Sequence, residues 1–89
     1  ESMSDSERTS RVFLSIQRYA RSLKDQHAKS VTRNTVLSAL KDLASEGFNG
    51  NLFEPLKHYL GVIIQECPRQ DNEIISATRR AQLRLNGTI

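Results

Sequence analysis

Apolar residues recur along this 89-residue chain with a helical period in four stretches, and nowhere do they alternate as in a strand. In the first stretch, about Ser6 to Gln26, Val12, Ile16, Tyr19, Ala20 and Leu23 share one helix face, and Arg11, Arg18, Arg21 and Lys24 occupy the rest. Ser4-Asp5-Ser6-Glu7 ahead of it has the spacing of a capping box. The polar run Asp25 to Ser30 breaks the period. Thr32 then predicts an N-cap, because its hydroxyl can accept an otherwise unpaired first-turn N–H. A second helix follows to about Ser45, with Val36, Leu37, Leu40, Leu43 and Ala44 on one side, and Gly47 suits a left-handed C-terminal cap.

Asn49-Gly50-Asn51 is turn chemistry. The third helix starts near Phe53, with Pro55 tolerated only in the first turn. Leu56, Tyr59, Leu60, Ile63 and Cys67 form its buried stripe, and Val62 and Ile64 widen that stripe, so this helix is expected to be the most buried of the four. Gly61, in mid-helix, costs roughly 1 kcal/mol relative to Ala, which predicts a close helix crossing there. Pro68 ends the segment. The fourth helix, Asn72 to Leu85, is capped by Asp71 or Asn72 and stopped by Asn86-Gly87. Ile74, Thr78, Ala81 and Leu85 share its inner face, with Arg79, Arg80 and Arg84 off it. The expected fold is all-α, a compact bundle of four main helices in a single domain over residues 1–89. Residues 1–5 are expected to be disordered or an expression-vector remnant.

Composition narrows the classes. At 37% hydrophobic and 26% charged, the chain carries enough apolar material for one modest core. It has no apolar run of roughly 18 residues, so no membrane span is expected. A single cysteine excludes an internal disulfide and a cysteine-based zinc cage. With a polar, acidic start in place of an apolar leader, it favours an intracellular, reducing compartment. Charge is segregated: Glu1, Asp5 and Glu7 precede every basic residue, and residues 8–89 carry a formal +6. Nine of the thirteen cations are arginines, which suit bidentate contact with carboxylate or phosphate.

Catalytic chemistry needs a constellation, and the sequence offers none. The four glycines are scattered, so no loop cradles a phosphate, and neither a nucleophile elbow nor a paired-histidine metal motif is present. His27, His58 and Cys67 lack ligand spacing. Asp25, Asp42, Glu46 and Glu54 read as exposed helix ends. No enzyme, cofactor, metal or small-molecule substrate is expected.

Two resemblances fall on residues 29–60. Lys29, then Val31-Thr32, a short helix with Val36-Leu37-Ser38-Ala39-Leu40, Phe48, and Pro55-Leu56-Lys57 in a following helix resemble the second half of a histone fold of the NF-Y and DNA polymerase epsilon type. The resemblance implies a nuclear domain that pairs with a protein, and a loop around Lys29 that touches the DNA backbone. A lid domain of an AAA+ ATPase would show a similar helical pattern. Val31-Thr32-Arg33-Asn34-Thr35-Val36 with Ala39-Leu40, Leu43 and Glu46-Gly47-Phe48 is also similar to the recognition helix of a GntR-type winged helix, which implies Arg33, Asn34 and Thr35 facing DNA. A capped amphipathic helix alone gives the same pattern.

Arg80 and Arg84 are helix neighbours, flanked by Arg79, and such like charges repel unless an anion sits there. Lys29, Arg33, Arg79, Arg80 and Arg84 are therefore the expected phosphate or anion contacts. Four short helices are not expected to cover the whole third-helix stripe, so Phe53, Leu56, Tyr59, Leu60 and Ile63 are the expected face for a protein partner, as a homo- or heterodimer. The expected function is a non-enzymatic, histone-fold-like interaction module that pairs with a protein and contacts DNA. The alternatives are a pure protein–protein domain of a larger nuclear protein and a helix-turn-helix DNA binder.

Overall fold

A computed structural model describes residues 5–28 and 30–87. Four helices follow one another: α1 (Asp5–Lys24), α2 (Arg33–Glu46), α3 (Phe53–Glu66) and α4 (Asn72–Leu85), with no strand among the described residues. Asp5 is already helical, so it is corrected from the segment expected to be disordered. Ser4 of the capping box lies outside the described residues.

Local chemistry sets each boundary. In α1, Asp5 and Glu7 lie in the first turn and Arg21 and Lys24 in the last, each sign matched to its end of the helix dipole. This helix stops two residues before Gln26, where the Asp25 carboxylate accepts the His27 N–H at 3.0 Å and folds the chain back. Thr32 caps α2 by accepting the Thr35 N–H at 3.2 Å. Gly47 closes α2 at φ 73°, donating its N–H to Leu43 O at 2.8 Å. Asp71 caps α4 by accepting the Ile74 N–H at 3.4 Å. Thr78, fully buried on α4, returns its hydroxyl to Ile74 O at 2.8 Å, so its polar group is satisfied within the helix.

The packing order is not the chain order. Helix α1 packs on α2 and α3, and α4 packs on the same two, leaving α1–α4 and α2–α3 as diagonals across the core. Ile16, Leu40, Leu43, Leu56, Leu60, Ile63 and Ile74 are its largest fully buried aliphatic side chains. Phe13, which the α1 pattern does not assign inward, is also buried and meets Tyr59 edge-on at 5.9 Å. The radius of gyration, 12.2 Å, matches the ~12 Å of a well-packed chain of this length.

Two expectations about α3 are overturned. Gly61 does not mark a close crossing, since a Cβ there would meet nothing within 4 Å. Leu56, Leu60 and Ile63 are 0% exposed, inside this chain's own core. The wide stripe of α3 is covered from two sides, by α1 and α4, so these three residues do not present a partner face. Phe53 and Tyr59 are half-buried. Phe53 packs against the core and carries Lys57 Nζ 5.4 Å from its ring centre, and the Tyr59 hydroxyl accepts from Gln17 Nε2 at 3.3 Å.

Candidate functional site

The surface that combines most of the molecule's unusual features is the seam between α2 and α4. Its two ends fix the helix directions. Arg33 at the start of α2 reaches the start of α4, and Gly47 at the end of α2 lies beneath Arg84 at the end of α4. The two helices therefore run parallel.

At the N-terminal end, the Arg33 guanidinium forks onto Asp71, donating from Nε to Oδ2 at 3.0 Å and from its terminal nitrogen to Oδ1 at 2.7 Å. The same nitrogen donates to Glu73 Oε1 at 2.8 Å. Planar bidentate geometry makes this the strongest kind of surface pair. The hydrogen bond from Arg33 holds the Asp71 carboxyl below the usual carboxylate range, against a smaller opposing effect of burial. The Asp71 and Glu73 hydrogen bonds push Arg33 up, so both partners favour the charged state. The sequence assigns Arg33 to phosphate; in the structure its Nε and one terminal nitrogen are engaged by two carboxylates, which sets it in an ion pair between α2 and α4, apart from the cations that line the groove. The pair has a local reason: Arg33 places a cation in the first turn of α2, which has no acidic residue there, and the α4 carboxylates offset it.

At the C-terminal end, Arg84 covers Gly47: a Cβ on Gly47 would stand 3.1 Å from Arg84 Nε. Arg8, from α1, reaches the same place, donating to Gly47 O at 3.0 Å and pairing with Asp42. Two arginines from neighbouring helices thus supply the positive charge that α2 lacks in its own last turn. Asp42, which reads from sequence as an exposed carboxylate, is this ion pair's partner. Arg8 carries no signal in the sequence, because its partner lies 34 residues away.

Between these ends the seam opens into a groove of about 520 Å³. Half-buried Ala44 and Ala77 line it with apolar surface, over the fully buried Leu40. Lys41 and Ser45 stand on the α2 side, and Glu73, Ser76 and Arg80 on the α4 side. Lys41 and Arg80 are exposed and have no ion-pair partner among the described residues. The groove's one carboxylate, Glu73, is already engaged by Arg33.

Of the five cations expected to act together, Arg80 alone lines this groove. Arg84 sits at the end of the seam, Arg79 is exposed on α4 but outside the groove lining, and Lys29 lies outside the described residues. Lys41 has no distinguishing mark in the sequence; only the packing of α2 against α4 brings it opposite Arg80. The remaining exposed apolar side chains are also not where the α3 stripe suggests. Leu14 on α1 is 43% exposed, Leu83 on α4 is 50% exposed, and Leu52, at the N-cap of α3 and outside its stripe, is 38% exposed. Leu14 shares the outer face of α1 with Arg11 and Arg18.

Other reactive side chains are placed in packing. Cys67 is buried with Sγ 3.7 Å from the Tyr19 hydroxyl, and burial pushes the Tyr19 phenol well above its ordinary value. His58 is exposed and packs edge-on to Tyr59 at 5.4 Å. No group of three or more His, Cys, Asp or Glu among the described residues could hold a metal ion, and no described helix is long and apolar enough to cross a membrane. No protein family, curated protein or solved structure matches the chain.

Proposed function

We propose that this domain is a non-enzymatic helical interaction module that pairs with a protein partner in the nucleus. The observation that carries the reading is the make-up of the groove between α2 and α4, with its small apolar floor, two serines, two cations that have no ion-pair partner among the described residues, and a carboxylate already held by Arg33. Such a surface has the means to recognise another chain. It lacks the nucleophile-and-base pairing that group transfer needs. The basic balance of residues 8–89 and the histone-fold resemblance of residues 29–60 support a nuclear setting. Pairing of this kind adds to a domain whose core is already closed, so the partner docks on the outside of the bundle.

Site-specific photo-crosslinking in nuclear extract tests it. A photoreactive residue at Ser45 or Ser76 is expected to give one discrete protein adduct, and the same residue at exposed Gln65 on α3 none. A second reading, contact with duplex DNA, is favoured by exposed Arg79 and Arg80 and by Arg11, Arg18 and Arg21 on α1. Crosslinks to nucleic acid alone, with duplex affinity falling steeply as salt rises, would replace the protein reading with that one.

A further inference from the structure

Resting on that reading, we propose that the groove between α2 and α4 takes an amphipathic helix whose narrow apolar stripe is flanked by carboxylates, lying antiparallel to both helices. The accessible floor is two small residues, Ala44 and Ala77, over the buried Leu40, and their small size leaves room for medium-sized aliphatic side chains. Lys41 on one wall and Arg80 on the other are both cationic and both unpaired among the described residues. An occupant that satisfies both walls needs carboxylates on both sides of its apolar stripe. A helix with such a stripe has that shape.

Direction follows from where the charges lie. Lys41 and Arg80 sit in the C-terminal halves of α2 and α4, and Glu73 sits at the N-terminal end. Carboxylates are most stable in the first turns of a helix. An occupant with an acidic first half therefore places that half beside Lys41 and Arg80 when it runs opposite to α2 and α4. The antiparallel arrangement also sets its dipole against theirs.

The same features disfavour other occupants. A second copy of this chain offers no exposed apolar stripe flanked by carboxylates on both sides: Leu14 lies between Arg11 and Arg18, with Glu7 two turns away, Leu83 follows Arg79 and Arg80 by one helical turn, and Leu52 stands at the N-cap of α3 rather than within a helix face. A phosphate backbone has no apolar stripe to set on Leu40, Ala44 and Ala77.

The test is selection from a phage-displayed library of random peptides of about 15 residues, ~22 Å long as a helix. It is run against the wild type and against the double variant Lys41→Glu/Arg80→Glu, with circular dichroism to verify that the variant is folded. The wild type should enrich peptides that carry Asp or Glu on both flanks of Leu, Ile or Met at helical spacing. Their amide shifts should map to the facing sides of α2 and α4. The double variant should bind them at least about tenfold more weakly, as expected for charge reversal at a complementary pair of walls. A spin label on the peptide's N-terminal end should broaden Arg80 and spare Glu73; the opposite pattern overturns the direction. Enrichment of neutral or basic peptides, equal binding by the double variant, or acidic peptides that map elsewhere would overturn the inference and leave the protein-module reading standing. No enrichment at all, together with salt-sensitive duplex binding, would overturn both.

Discussion

The N-terminal end of the α2–α4 seam and its middle are built from the same kinds of residue and behave differently. At the start of the seam, Arg33 meets Asp71 and Glu73, and three charged side chains close over the helix ends. About two turns further on, Lys41 and Arg80 face the same gap, and among the described residues that line it the one carboxylate is already held by Arg33. The first arrangement is a clamp that satisfies itself. The second is a pair of charges over an apolar floor, with no ion-pair partner among the described residues. Basic residues counted along a chain are therefore not equivalent binding groups: Arg33 belongs to the architecture, while Lys41 and Arg80 remain available to something outside it.

The sharpest way to break this contrast is at the floor. Leu40 lines the open groove yet is fully buried beneath it. If the middle of the seam is as well packed under its rim as the ends are, Leu40→Ala should destabilise the domain by about 2–5 kcal/mol. For a domain of this size that corresponds to a fall in Tm of more than about 10 °C by circular dichroism. A loss below about 1 kcal/mol would make the groove a loosely packed gap rather than a surface laid over a firm core.

How much of this is legible in the chain depends on the distance over which the signal acts. Caps and periodicity act within a turn or two, so Thr32, Gly47, Pro55, Asp71 and Asn86-Gly87 place the helix ends to within about two residues of where they stand. The inner faces are legible for the same reason, with Ile74, Thr78, Ala81 and Leu85 all buried. Which helices become neighbours is not written locally. The diagonal placement of α2 and α3 covers α3 from two sides, and so Leu56, Leu60 and Ile63 lie in the core, as their periodicity alone suggests, and are not left over as the surplus face that four short helices are expected to leave. The pairing of charges is equally non-local. Arg33 finds carboxylates 38 and 40 residues away, and Arg8 finds Asp42 34 residues away. The groove between Lys41 and Arg80 exists only once α2 and α4 are side by side.

The C-terminal end of the seam offers the next largest effect. Gly47 holds φ 73°, where an L side chain is strained, and its missing Cβ leaves the space that Arg84 covers. Gly47→Ala is expected to destabilise the domain by about 1–3 kcal/mol, from backbone strain above all, since φ 73° with ψ −167° is a conformation that essentially only glycine adopts and Arg84 is long enough to shift. Equilibrium urea unfolding measures this. Arg84→Ala in the same background should recover little of the loss. Substantial recovery would instead make the contact with Arg84 the cause, and this end of the seam would then be held by side-chain packing rather than by the turn.

The smallest effect belongs to the clamp itself, and it is the one with a pH signature. Asp71→Asn keeps an oxygen for the Ile74 N–H, since asparagine caps helices as well as aspartate does, and removes only the charge facing Arg33. The Asp71 carboxyl is held below its unfolded value, so the folded state binds fewer protons there than the unfolded state does. Its contribution is present above the unfolded pKa of about 3.9 and is lost as pH falls through the lower folded value. The urea midpoint of the wild type should therefore exceed that of Asp71→Asn by a small, constant margin from about pH 7 to about pH 5, and the margin should close as the pH drops below ~4. Lys41→Ser, made in the open middle, should show no such closing margin, because Lys41 has no ion-pair partner among the described residues. If the Asp71→Asn margin were absent at neutral pH, or if Lys41→Ser reproduced its acid dependence, the clamp and the groove would not differ in the way their geometry states, and Arg33 would return to the set of charges open to a partner.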